Sequence, residues 1–112
     1  MALDIHSEIV NGIGRITLSG ELDASTAPDF KSSVEKIAEG NPKRIVLLLS
    51  DLHFMASAGL RVLIFAKQKM DASVDIYVVG AQEAVVDTLM KTGFHNSVIM
   101  LDAYDAKEIE HV

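Results

Sequence analysis

The chain has no cysteine. Disulfide frameworks, thiolate metal sites and cysteine nucleophiles are therefore excluded. Aromatic residues make up only 5% of it. No apolar run reaches the roughly 18 residues that a membrane-spanning helix needs. Bases are outnumbered, ten lysines and arginines against sixteen acids, which leaves a net charge of -6 and a pI near 5.0. Nucleic acids and anionic membrane surfaces both require a basic face, so neither is expected as a partner. The segment Met1-Ala2-Leu3-Asp4-Ile5 has neither the basic region nor the apolar core of a secretory signal, and a cytoplasmic protein is expected. Repeats, low-complexity tracts and linkers are also missing.

What remains is a chain of 112 residues, 49% of them hydrophobic. That is enough for one packed domain, residues 1–112, burying roughly 65% of its unfolded surface. The apolar pattern changes period along it. Leu3, Ile5, Ile9 and Val10 suggest a short first strand. Asn11-Gly12 is a turn signal, and Ile13, Ile16 and Leu18 lie in a second run, Gly12 to Gly20, completing an antiparallel hairpin. Ala27, Phe30, Val34 and Ile37 then repeat at helical spacing. Ser25 or Thr26 can cap that helix, Pro28 suits its first turn, and Gly40 ends it before the Asn41-Pro42 turn.

Ile45-Val46-Leu47-Leu48-Leu49 is a continuous apolar run, which predicts a strand covered on both faces. A second helix is predicted from Ser57 to about Met70, with Leu60, Leu63, Ile64 and Phe65 inward. A strand at Val74–Val79 follows. A third helix at Gln82–Thr92 carries Val86, Leu89 and Met90, with Gly93 as its stop. Val98–Leu101 is a last short strand, and Asp105-Ala106-Lys107-Glu108 opens a final helix. The order ββαβαβαβα implies an α/β fold: a mixed, mostly parallel sheet with one antiparallel edge and helices packed on it.

Catalytic constellations are missing. His6, His53, His95 and His111 have no partner at metal-binding spacing, and no metal or cofactor is expected. There is no nucleophile elbow and no phosphate-binding Gly-rich loop. Gly12-Ile13-Gly14 leads into a strand with Thr17 where a third glycine would stand, so it is no dinucleotide fingerprint. Asp4, Asp23 and Asp51 are scattered. Asp51 follows a buried strand, where ligand-binding acids occur, and it can equally cap the loop.

The most informative stretch is Ser50-Asp51-Leu52-His53-Phe54-Met55-Ala56-Ser57-Ala58-Gly59-Leu60. It is read as a loop carrying two large apolar groups, Phe54 and Met55, into the second helix. Ser57 stands at the expected N-cap, and Ala58-Gly59 leave nearby backbone N–H groups open. Either Ser57 is only a cap, or it is a site for a phosphate that the helix dipole favours.

Two blocks then carry a resemblance. Gly20-Glu21-Leu22-Asp23-Ala24-Ser25-Thr26-Ala27 is similar to the Gly-Glu-Leu-Asp lead-in of the STAS family, the bacterial anti-sigma factor antagonists and their relatives. Asp51 to Leu60 resembles that family's Phe-Met-Asp-Ser-Ser/Ala-Gly-Leu segment. The element order matches over essentially the whole chain. The resemblance implies a non-enzymatic switch. The unphosphorylated form binds a serine kinase that is also an anti-sigma factor, phosphorylation releases it, and a serine phosphatase resets it. By the same resemblance Ser57 is the phosphorylation position. Asp23, Ala24, Ser25 and Thr26, with Met55, Ala56, Ser57, Ala58, Gly59, Leu60 and Arg61, form the docking face. Ser25 and Thr26 are weaker alternative acceptors, and a monomer is expected. One departure stands out: the family's usual aspartate before the acceptor is Ala56. That change weakens kinase recognition, alters the balance between docking and release, or is engineered. The other implied readings are a constitutive interaction module that is never phosphorylated, a small-ligand sensor and the tail of an anion transporter.

Overall fold

The computed structural model describes residues 3–110. Strands β1 (Leu3–Val10) and β2 (Ile13–Leu22) form the expected hairpin. Its two turn residues, Asn11 (φ 53°) and Gly12 (φ 80°), both take positive φ. That is the turn whose twist matches paired strands. Helix α1 (Ala27–Glu39), β3 (Arg44–Met55), α2 (Ser57–Lys69), β4 (Asp75–Val79), α3 (Glu83–Thr92), a 3-10 turn at Phe94–Ser97, β5 (Ile99–Leu101) and α4 (Ala106–Ile109) follow. The sheet order is β1-β2-β3-β4-β5. Only β1 runs antiparallel to its neighbour; the other three pairs are parallel. No helix among the described residues is long and apolar enough to cross a membrane.

The two sheet faces are covered differently. Helices α1, α2 and α3 pack on one, where Ile16, Leu18, Ile45, Leu47, Leu49, Ile76 and Val78 meet Phe30, Val34, Leu63, Val85 and Leu89. The other face carries a smaller cluster of Ile13, Val46, Tyr77 and Val79, closed by Ile109 of α4. The Ile45–Leu49 run is therefore covered on both sides, as its lack of alternation requires. Two arginines hold the second cover. Arg44 donates to the carbonyls of Glu108 and Ile109 and to the Tyr77 hydroxyl. Arg15 donates to the Tyr104 hydroxyl at 3.0 Å and to Glu110 at 3.2 Å. Burial raises both tyrosine hydroxyls above their ordinary range, and the bond to Glu110 adds to this at Tyr104. The Asp105 carboxylate caps α4 by accepting from the Lys107 and Glu108 N–H groups.

Several local expectations are corrected. Gly40 (φ -81°) ends α1 as expected, though the left-handed residue is Asn41 (φ 49°) of the following turn. Ile64, expected inward, is 38% exposed, and Met90, an apolar position of the third helix, is 54% exposed. The inward positions are Gly59, Leu60, Val62, Leu63 and Ala66 in α2, Leu60 and Leu63 as expected, and Val85 and Leu89 in α3. Leu63-Ile64, Val85-Val86 and Leu89-Met90 are apolar doublets, and adjacent helix positions differ by about 100°. Only helix phase, set by the packing, decides which member points in. His111 lies outside the described residues.

Ile109→Ala should remove the closure of the second face. We expect a loss of about 2–5 kcal/mol in denaturant unfolding, with faster amide exchange over residues 104–110. Unchanged stability would mean that α4 does not close that cluster.

Candidate functional site

The two sequence blocks meet because β2 and β3 pair in parallel to their carboxyl ends, the end of a parallel sheet where sites collect. Glu21 lies opposite Phe54 and Leu22 opposite Met55. The Ala56 N–H then donates to the Leu22 carbonyl at 2.8 Å. The stretch Ser50–Met55, expected as a loop, is therefore the second half of β3. Two irregularities hid it. The register jumps between Thr17 and Ser19 and between Gly20 and Glu21. Each jump places an extra β3 residue against β2 and shifts the inward alternation by one. Leu49, Leu52 and Met55 are buried at a spacing of three, which reads as neither strand nor loop in the sequence. Asp51 is an exposed residue within this strand, opposite Ser19.

Past β2, a compact turn is built around Asp23. Its carboxylate accepts from the Ser25 N–H (2.9 Å), the Ser25 hydroxyl (2.7 Å) and the Thr26 N–H (3.1 Å). The Ser25 hydroxyl bond, with the N–H bonds, lowers the Asp23 pKa below the ordinary aspartate value. Thr26 occupies the N-cap position of α1, but its hydroxyl makes no cap bond. It donates to the Glu21 carbonyl at 3.0 Å and accepts from the Asp23 N–H at 2.9 Å, strapping the turn to the strand end. Thr26 is only 8% exposed, so as a free hydroxyl acceptor it is corrected to a structural strap. Ser25 is exposed, with its hydroxyl held by Asp23.

Ser57 is not the N-cap of α2. That position belongs to Ala56, extended at φ -82° and ψ 169°, and no side chain caps this helix. Ser57 is the first helical residue; it is exposed, and its hydroxyl has no partner among the described residues. The first turn of α2 holds no acid, while Lys67 and Lys69 sit in its last turn. The positive end of the helix dipole at Ser57 is thus uncompensated. Gly59 does not leave an open N–H, because its own N–H donates to the Ala56 carbonyl at 3.0 Å. Its small size serves packing instead: a Cβ there would lie 2.5 Å from the Leu22 Cγ.

The eleven residues of the expected docking face therefore divide. Ala24, Ser25, Ser57 and Arg61 are exposed, and Asp23, Ala56 and Ala58 are half-buried. Thr26, Met55, Gly59 and Leu60 are buried and support the surface without lining it. Ser57, Arg61 and Ile64 share one outward face of α2 at i, i+4 and i+7 spacing. Phe54, 45% exposed, adds apolar surface at the strand end. Sequence reasoning placed Ile64 inward, and it placed α3 correctly but not its contact with this junction, where the Thr88 hydroxyl donates to the Met55 carbonyl at 3.2 Å. The Gln82 amide likewise donates to the Ser50 carbonyl at 2.8 Å and lies 3.4 Å from His53 Nδ1. No group of three metal-ligating side chains gathers among the described residues.

The model of the STAS domain matches residues 4–107. The anti-sigma-F factor antagonist RsfB of Mycobacterium tuberculosis is 32% identical over 69 residues, which cover 62% of this chain and 57% of that protein. The chain thus matches a little over half the length of this relative. The crystal structure of an anti-sigma factor antagonist from Mycobacterium paratuberculosis superposes with a TM-score of 0.89 at 22% identity, covering 97% of this chain and 95% of that one. SpoIIAA in its unphosphorylated form follows at TM-score 0.73 and 21% identity, over 96% of both chains.

Ala56 has the extended backbone of an N-cap and lacks its acceptor. Ala56→Asp should stabilise the protein by about 0.5–2 kcal/mol in denaturant titration, by capping α2. A neutral or negative result would mean that the α2 N–H groups already have partners. Asp23 gives a second expectation. Its folded pKa lies below its unfolded one, so its contribution is complete above the ordinary aspartate value and is lost as pH falls through the folded pKa. NMR titration should show the Asp23 carboxyl titrating below pH 3.8. It should return to the ordinary value in Ser25→Ala only in part, because the N–H bonds remain.

Proposed function

The chain belongs to the STAS domain family, and on that premise we propose that it is an anti-sigma factor antagonist switched by phosphorylation of Ser57. The observation that carries this reading is the exposed Ser57 hydroxyl at an uncapped, acid-free helix N-terminus, beside a turn prepared by Asp23. In the unphosphorylated state the surface from Ala24 and Ser25 across Ser57 to Arg61 and Ile64 docks a serine kinase that is itself an anti-sigma factor. Phe54 and Ile64 supply apolar contact, and the hydroxyl is presented to the kinase on a rigid strand-to-helix junction.

Phosphorylation adds a charge of about -1.5 to -2 at that junction. Within the free chain this charge is well placed: it faces the positive end of α2 and lies one turn from Arg61. Within the complex it is a dianion at the centre of an interface, where its desolvation is costly. The same group therefore favours the free form over the bound one, and release needs no large rearrangement. A serine phosphatase restores the docking form. The reaction chemistry belongs to the partners, and this chain acts as substrate and ligand.

A second reading is favoured by one observation, Ala56. Where the family has an aspartate, this chain has no carboxylate to engage the kinase beside the acceptor. A constitutive docking module, never phosphorylated, would tolerate that loss.

The test is intact mass of the protein from its own host, with pull-downs by wild type, Ser57→Ala and Ser57→Asp. We expect one phosphate on the wild type and none on Ser57→Ala. A kinase-like anti-sigma factor should be held by the wild type and Ser57→Ala and weakened at least about tenfold by Ser57→Asp, 1.4 kcal/mol of binding. An unmodified wild type with equal retention by all three would overturn the switch and leave the constitutive module.

A further inference from the structure

We propose that two copies of this chain pair antiparallel through the free edge of β1, joining their sheets with a two-fold axis at Ser7. β1 ends the sheet, and no strand among the described residues pairs its outer edge. It is eight residues long and contains neither proline nor glycine. Edges of that kind offer a row of backbone groups for strand addition. Ile9 and Val10 on it are 39% and 37% exposed.

The hairpin selects which backbone groups are free. Val10 and Ile13 flank the two-residue turn, so they form a bonded rung. Bonded rungs then recur at Glu8, His6 and Asp4 toward β2, and Leu3, Ile5, Ser7 and Ile9 point their N–H and C=O groups outward. An axis at Ser7 sets Ser7 opposite Ser7 and Ile5 opposite Ile9 as bonded pairs. It sets His6 opposite Glu8 in the closer, non-bonded pairs. Every outward group from Ile5 to Ile9 finds a partner, and the exposed Ile9 is met by the second copy's Ile5.

Charge separates this register from its neighbours. With the axis at His6, Glu8 would face Asp4 and His6 would face itself. With the axis at Glu8, two glutamates would meet. Like charges directly opposite are destabilising. An axis at Ile5 would set Asp4 opposite His6, but within the described strand it overlaps only Leu3–Ser7. Over that strand the Ser7 axis gives the longer overlap, Asp4–Val10, with no like charges opposed. In it Glu8 stands between Arg15 of its own β2 and His6 of the second copy, extending the His6–Glu8 approach of 3.9 Å already present along the strand.

The helix layer permits the same arrangement. Ile37 lies over Gly14 of β2, and Gly40 lies against Ile9 of β1, whose rung partner is Gly14. Helix α1 therefore straddles β1 and β2. A second copy joined at β1 would place its α1 about 10 Å away, one helix-packing distance. Lys31 lies over the Phe65 ring, on the flank toward α2. The opposite flank carries Asp29, Ser33 and Lys36, so an antiparallel copy brings unlike charges together around a small residue. Ser57 stands beyond the carboxyl ends of β2 and β3, away from this edge. Failure of the dimer therefore leaves the serine switch untouched.

Sedimentation of the wild type over rising concentration should show a mass moving from 12.1 kDa toward twice that value. Salt should strengthen the association, since each copy carries a charge of -6. The absence of native cysteine makes cross-linking unambiguous. Ser7→Cys should form a covalent dimer on mild oxidation, its Cα atoms being about 5.5 Å apart across the axis; His6→Cys should form far less. Glu8→Lys or His6→Glu alone should weaken the dimer about tenfold, and His6→Glu combined with Glu8→Lys should restore it. A monomer at every concentration, preferential cross-linking at His6→Cys, or a double variant no better than the singles would overturn the proposal.

Discussion

The parallel ladder between β2 and β3 is the contact on which the rest of the molecule depends. It is the middle of the hydrophobic core, since Ile16, Leu18 and Leu22 lie beside Ile45, Leu47, Leu49 and Met55 on the helix-covered face. It also continues past two irregularities to Leu22 and Met55, and so delivers the Asp23 turn and the Ser57 helix to the same end of the sheet. Without those two inserted residues the strand would present a different set of side chains at its end. The bulges aim the junction, a role they commonly play beside functional sites.

Rigidity at that junction comes from several directions. The Ala56 N–H is bound to Leu22, Thr26 straps its turn to Glu21, and Thr88 of α3 reaches the Met55 carbonyl. Gly59 allows α2 to close on Leu22 without displacing it. The Asp23, Thr26 and Thr88 side chains are spent on holding the shape. An exposed hydroxyl on a fixed frame suits a group that must be read by another protein, because little ordering is left to be done on binding.

The electrostatics of α2 are unusually bare at one end. Its last turn has lysines, but its first turn has no acid and its cap is an alanine. A helix with a capping aspartate would already satisfy part of its positive end before any modification. Here that end is unfilled, so a phosphate at Ser57 would meet an uncompensated dipole. Ala56 thus has two opposite consequences on our reading. It removes a carboxylate that a kinase could recognise, and it makes the modified helix gain more from its new charge.

Much of the fold was legible in the order of residues. The Asn11-Gly12 turn, the α1 face of Ala27, Phe30, Val34 and Ile37, the two-sided Ile45–Leu49 strand and the Asp105 cap each follow from local period or turn chemistry. These are interactions within a few residues, so spacing alone reveals them. The likeness of two separated blocks to one family was legible too. Tertiary structure decided what local spacing does not carry. It extended β3 to Met55, because bulges against β2 replaced alternation with a spacing of three. It moved the α2 cap from Ser57 to Ala56, chose the inward member of each apolar doublet through helix phase, and turned the Thr26 hydroxyl from a helix cap into a buried strap. Each of these depends on a partner distant in sequence or on the orientation of a whole element, and neither is written in the neighbouring residues.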